Sequence, residues 1–164
     1  MFALQIAKAA GARVIATTST EEKMAKLKTL GADEVINYKE YPEWYKNIRE
    51  LTNGEGVDVT LDIAGAATIA NSMQSIKPHG LVCTVGFISG PEITLHITNH
   101  LNLNFGRVHG IATGSRKSFT ELIQAVEIND IKPQIDSVFE MDDMAEAYKY
   151  LESGTHLGKI VVGL

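Results

Sequence analysis

Apolar positions along this chain switch between two periods. In MFALQIAKAA, residues 1 to 10, Phe2, Ile6, Ala9 and Ala10 share one helical face, and Gly11 supplies a left-handed stop. The run ARVIAT that follows is apolar without spacing and predicts a buried strand. A helix TEEKMAKLKTL closes at Gly31, with Ser19 and Glu22 spaced as a capping box, and EVIN predicts a short strand. Pro42 suits the first turn of a helix PEWYKNIRELT, and Asn53-Gly54-Glu55-Gly56 turns into a strand VDVTLDI.

The alternation continues to the end. A helix TIANSMQSI precedes a turn Pro78-His79-Gly80 and a strand LVCTVG, and a looser segment crosses residues 87 to 105. RVHGIAT is a further strand, and the helix SFTELIQAVEIN after it carries Ser118 and Glu121 at capping-box spacing. These make five strands with four crossovers, followed by a helix MAEAYKYLESG and a strand KIVV. Strands that are apolar throughout and separated by helices predict a mostly parallel sheet covered on both faces, a doubly wound, Rossmann-like α/β fold. Ligands of such sheets lie outside the carboxyl ends of the strands. That rule selects Thr18-Ser19, Asn37-Tyr38, Ala64-Gly65, Phe87 and Gly114-Ser115-Arg116.

Composition narrows the functions available. The chain has 164 residues, 45% of them hydrophobic and 21% charged, enough for one buried core. Fifteen basic against twenty acidic residues give a net charge of −5 without a dense basic cluster, so nucleic acid is not an expected partner. Cys83 is the one cysteine, which excludes an internal disulfide and a zinc site built from several thiolates of this chain; a reducing, cytoplasmic setting is the simpler expectation. The apolar runs fall well short of the roughly 20 residues of a membrane span, and the first residues lack the basic region of a signal peptide.

The tip Thr17-Thr18-Ser19-Thr20 is the most informative of the strand ends. An acid at this place would accept hydrogen bonds from the ribose 2′-OH of NAD and repel the 2′-phosphate of NADP. Hydroxyls stand there instead, and Lys23 lies four residues after Ser19, one helical turn on. One interpretation is a 2′-phosphate site, where a charge-assisted hydrogen bond contributes about 1 to 3 kcal/mol. The other is a helix cap at Ser19 followed by a solvated lysine; Glu21 and Glu22 weigh on that side, although acids also suit a helix N-terminus. No nucleophile with an adjacent base is found, the five histidines lack metal-ligand spacing, Cys83 suits core packing, and Asp58 and Asp62 suit edge or turn positions.

FALQIAKAAGARVIATTST, LGADEVINY, GVDVTLDIAG, PHGLVCTVG, GIATGSR and AYKYLESGTHLGKIVV together resemble the medium-chain dehydrogenase/reductase superfamily, in particular its zinc-type alcohol dehydrogenase-like and NADPH quinone oxidoreductase members. The resemblance implies that Ser19, Lys23 and Tyr38 gather around a 2′-phosphate beside Thr18, favouring NADP(H) over NAD(H). It implies that Ala64, Gly65, Gly86 and Phe87 line the nicotinamide side, and that Arg116, after Ser115, reaches toward the cofactor. A loop arginine preceding a Ser118 cap is the alternative for Arg116.

The chain also departs from the family pattern. The first strand, the Gly-rich pyrophosphate loop and the N-terminal catalytic half with any zinc ligands are not found in it, and Gly54-x-Gly56 precedes a strand instead of opening a helix. An incomplete cofactor-binding domain over 1–140 is therefore expected, with a helix and strand over 141–164 that return to a catalytic half. A gap of about 4.8 Å in mid-sheet would be closed by the flanking strands, filled by another chain, or belong to a shortened product of a longer enzyme. The implied function is the cofactor-binding portion of an NADP(H)-dependent oxidoreductase acting on an alcohol or carbonyl, enone or quinone, without turnover by itself and with no catalytic residue or zinc site of its own. The alternative is a non-catalytic nucleotide-binding or oligomerisation module, pairing through the strand 107–113; an unrelated function on the same fold is the third.

Overall fold

The computed structural model describes residues 1–102 and 105–163. In chain order it contains α1 (Phe2–Ala9), β1 (Ile15–Thr18), α2 (Glu21–Thr29), β2 (Glu34–Asn37), α3 (Tyr45–Leu51), β3 (Val57–Asp62), α4 (Ile69–Ser75) and β4 (Ile76–Thr84). A π-helical segment (Ile97–Asn102), β5 (Arg107–Gly110), α5 (Arg116–Ile128), β6 (Ile135–Phe139), α6 (Met144–Ser153) and β7 (Lys159–Val162) complete it. The fold is α/β and Rossmann-like. Its strands form three sheets, ordered β1-β2, β3-β4-β5 and β6-β7, and the last two sheets are parallel throughout.

The chain divides into two compact units, Met1–Ala16 with Thr20–Val35 and Arg116–Leu164, and Thr17–Ser19 with Ile36–Ser115. In the first, Leu4, Leu27 and Ala32 form a buried cluster against which Val14, Ala16, Leu30 and Val35 pack. In the second, Ile69, Met73, Ile76 and Val82 are at most 1% exposed and are joined by Val57, Leu95 and Leu101. Burying each such side chain contributes about 1.5–3 kcal/mol. Arg49 of α3 ties this unit together through four backbone carbonyls, those of Gln74 (2.9 Å), Ile76 (2.8 Å), Gly54 (2.9 Å) and Glu55 (2.9 Å).

Several expectations are corrected. Helix α2 is capped one residue later than Ser19: Thr20 is extended (φ −145, ψ 151) and its Oγ1 accepts from the Lys23 amide at 3.3 Å, so Glu22 has no part in a capping box. Pro42 lies outside α3, because the turn before Tyr45 is tightened by a Lys46 N to Glu43 O bond that is one residue short of the α spacing. Ser118 lies inside α5, which already begins at Arg116. The predicted turn at Pro78-His79-Gly80 is a bulge within β4: pairing passes from Val57↔Ile76 to Val59↔Leu81, and His79 takes φ 64. The looser span 87–105 contains the π-helical segment, residues 103 and 104 lying outside the described residues. Strand β6, which the apolar pattern did not predict, pairs with β7. The strands ARVIAT and VDVTLDI belong to different sheets.

Candidate functional site

Two loops at the carboxyl ends of β3 and β4 are knitted together in the second unit. The Val85 amide donates to the Asp62 carbonyl at 2.8 Å, continuing the ladder past the strands. Ser89 then grips Ala64 twice, its amide donating to the Ala64 carbonyl at 2.8 Å and its hydroxyl to the same oxygen at 2.6 Å. That hydroxyl also accepts from the Ala67 amide at 2.9 Å, and the Ala66 amide donates to the Gly90 carbonyl at 3.3 Å.

Glycine permits the approach. A Cβ on Gly65, whose φ is +84, would lie 2.8 Å from the Gly90 carbonyl and 3.0 Å from the Phe87 Cα; one on Gly86 would lie 2.6 Å from the Ile63 carbonyl. Both contacts are with backbone, which leaves no flexible side chain to yield. The predicted residues Ala64, Gly65, Gly86 and Phe87 are thus brought into one surface. Around them Phe87 is 70% exposed, with Ile63, Val85 and Ile88 exposed beside it, so the loops present apolar surface with fixed backbone polar groups.

Asp62 holds the first of these loops. It is 3% exposed, and Oδ1 accepts from the amides of Ala64 (3.1 Å) and Gly65 (2.9 Å) and the hydroxyl of Thr68 (2.7 Å). Oδ2 accepts from the Ser72 hydroxyl at 2.7 Å. Asp62 thus keeps the expected position at the end of β3 but is buried instead of exposed, while Asp58 is exposed and paired with Lys77. The sequence carries a partial signal: Thr68 and Ser72, four apart, share one helical face.

The other predicted residues fall as follows. Thr18 is 7% exposed and its carbonyl accepts from the Tyr38 amide at 2.9 Å; Tyr38 is 44% exposed, and Ser19, half-buried, belongs to the same unit. Ser115 closes that unit, and Arg116 opens α5 with its side chain exposed. Lys23 belongs to the first unit, where its Nζ donates to the Gly154 carbonyl at 2.9 Å, at the C-terminal end of α6. A cation is favourable there because the helix dipole leaves negative partial charge.

Beside Lys23 opens a cleft of about 380 Å³ lined by Glu22, Lys26, Asp136, Ser137, Tyr150, Thr155 and Leu157. The Asp136 carboxylate accepts from the Leu157 amide at 2.8 Å, the Tyr150 hydroxyl at 2.7 Å and the Ser137 hydroxyl at 2.9 Å. These bonds, the Leu157 amide foremost, lower its pKa from 3.8 to about 2.

His96, just before the π-helical segment, and His100, within it, hydrogen-bond to backbone amides at its start. His96 Nδ1 accepts from the Asn99 amide at 3.2 Å and His100 Nδ1 from the His96 amide at 2.9 Å, and burial with the nearby His96 holds the His100 pKa below its usual value. Among the described residues no three His, Cys, Asp or Glu side chains gather so as to hold a metal ion, and no helix is long and apolar enough to cross a membrane.

Comparison with known proteins adds the following. Residues 1–127 match the family model described as zinc-binding dehydrogenase. The zinc-type alcohol dehydrogenase-like protein C1773.06c of Schizosaccharomyces pombe is 38% identical over 165 residues, covering 98% of this chain and 47% of that protein. The NAD-dependent alcohol dehydrogenase of Sulfolobus acidocaldarius is 31% identical, covering 98% of this chain and 46% of its own length. Among solved structures, a mycobacterial protein complexed with NADPH superposes with a TM-score of 0.82 at 28% identity, over 97% of this chain and 51% of that one. The chain therefore spans about half the length of these relatives.

Proposed function

The chain belongs to the zinc-binding dehydrogenase family, within the medium-chain dehydrogenase/reductase superfamily, and from that membership we propose that it provides the NADP(H)-binding side of a hydride-transferring oxidoreductase. The nicotinamide cofactor supplies the hydride chemistry, and the protein supplies placement and exclusion of water. The observation that carries the proposal is the pair of strand-end loops, whose glycines at 65 and 86 allow backbone to meet backbone beneath the exposed Phe87. Ala64, Gly65, Gly86 and Phe87 orient the nicotinamide end on this proposal. Within the second unit, Thr18, Ser19 and Tyr38 serve the 2′-phosphate of the adenosine end and Ser115 lies toward the cofactor; Lys23 and Arg116, in the first unit, are separate proposals as cations for the same ligand. An ammonium carries three donors, so the bond from Lys23 to Gly154 leaves capacity for an anion.

Zinc does not enter the proposal. Among the described residues no three His, Cys, Asp or Glu side chains gather so as to hold it. Substrates of the class reduced through nicotinamides, an alcohol or carbonyl, an enone or a quinone, meet the cofactor on residues beyond the loops described here. The purified chain is accordingly proposed to bind cofactor without turnover, and steady NADPH oxidation with simple quinones or aldehydes would contradict that.

Saturation-transfer NMR of NADPH with the purified chain tests the placement. Transfer to the nicotinamide protons as well as to the adenine protons is expected. Transfer to the adenine protons alone, or to none, would overturn the role of the two loops. A second proposal, assembly through β5, is favoured by one observation: this strand lies at the edge of its sheet, exposed at all four residues from Arg107 to Gly110. Light scattering decides it, since a monomer at all concentrations excludes the assembly role.

A further inference from the structure

Among the described residues of the second unit Asp62 is the buried charged group, and it is not one of the proposed binding residues. All four of its donors are neutral: two backbone amides and two hydroxyls. Burying a carboxylate costs several kcal/mol unless its oxygens are satisfied, and a hydrophobic residue would pack the same space at lower cost. The arrangement is accounted for by what the carboxylate holds. Its Oδ1 draws the amides of Ala64 and Gly65 inward, at a glycine with φ +84, while Ser89 holds the Ala64 carbonyl from the other side. Its Oδ2 anchors the same loop to α4 through Ser72.

We propose that Asp62 is a positioning residue, whose carboxylate fixes the backbone of Ala64 and Gly65 against the Gly86–Gly90 loop in the geometry that receives the nicotinamide end of the dinucleotide. It acts through the loop and touches no ligand. The inference rests on the proposed cofactor role of these loops.

The test compares NADPH with 2′-phospho-ADP-ribose, the same molecule without its nicotinamide, on the wild-type chain, Asp62→Ala and Asp62→Asn. Asp62→Ala is expected to weaken NADPH by about tenfold or more, a loss of about 1.4 kcal/mol, and to leave 2′-phospho-ADP-ribose within about twofold. Asp62→Asn should recover most of the NADPH affinity, because an amide oxygen still accepts from the two backbone amides while Ser72 turns to accept from the amide nitrogen. Equal weakening of both ligands would show a merely structural role and overturn the proposal, as would no weakening of NADPH.

If Asp62→Ala does not fold, amide hydrogen exchange of the wild type and Asp62→Leu, a side chain of similar shape with no acceptor, decides. Faster exchange at Ala64 and Gly65 in the variant, with Val82 and Cys83 unchanged, supports the proposal, and unchanged protection at Ala64 and Gly65 overturns it. Wild-type chain that binds neither ligand would instead refute the cofactor role, and this inference with it.

Discussion

Replacing Gly65 by alanine measures how tightly the two strand-end loops are pressed together. Gly65 sits at φ +84, where an L residue carries a cost of about 1–2 kcal/mol. The new Cβ would stand 2.8 Å from the Gly90 carbonyl and 3.0 Å from the Phe87 Cα. Both neighbours are backbone, so the loops must part by some tenths of an ångström, and overpacking of this kind costs about 1–3 kcal/mol. A stiffer unfolded chain returns about 0.4–1 kcal/mol. The expected net loss is about 1–4.5 kcal/mol.

Gly54 provides the control. Its φ is +87, but a Cβ there meets nothing within 4 Å, so Gly54→Ala should lose only the backbone cost of about 1 kcal/mol. Urea unfolding followed through Trp44, which is 8% exposed and lies beside α3 in the same unit, reports both variants. The difference between them isolates the contact between the loops. A Gly65→Ala loss within about 0.5 kcal/mol of the Gly54→Ala loss would refute the tight approach on which the nicotinamide side is built.

Three further predictions concern the scaffold. Thr20→Ala should destabilise the chain by about 1 kcal/mol through loss of the α2 cap, whereas Ser19→Ala should leave thermal stability nearly unchanged; the reverse order would restore the cap at Ser19. Arg49→Ala, which strands the carbonyls of Gln74 and Ile76 in part-buried surroundings, should cost about 3 kcal/mol in urea unfolding, and a loss below about 1 kcal/mol would show that water replaces the guanidinium. Asp136 has a folded pKa of about 2 against an ordinary 3.8, so its stabilisation is complete above pH 3.8 and is lost as the pH falls toward 2. Solvent screening of this partly exposed group reduces the effect to about 1 kcal/mol, and Asp136→Asn should flatten the stability profile in that window; an unchanged slope would refute the assignment.

The strands at Ile15, Val57, Leu81 and Arg107 were legible as runs between helical segments, although the burial such runs imply holds at Val82 and not in β5, whose four residues are exposed. Strand β6 was not legible, since Ile135 and Val138 are exposed and Asp136 and Ser137 face the cleft, leaving no apolar face to show. The cap of α2 was displaced by one residue because Ser19 and Thr20 are equally able to cap, and the backbone angles of Thr20 decide between them.

Asp62 shows a different limit. An acid at a strand end reads as solvated, and its burial follows only from where the chain turns next. The donors stand two, three, six and ten residues further on, and only the fold makes them neighbours. Gly65 was selected by its place after a strand and Gly86 by family pattern, and their physical reason, backbone meeting backbone between two loops, emerges from the structure.

Calorimetric titration of the purified chain with NADPH and, separately, with NADH bears most directly on the cofactor role. The account predicts saturable binding with NADPH the tighter ligand, a preference lost in Lys23→Glu. Heat of binding from neither dinucleotide, at a protein concentration that would reveal millimolar affinity, would contradict the claim that this chain holds a nicotinamide cofactor.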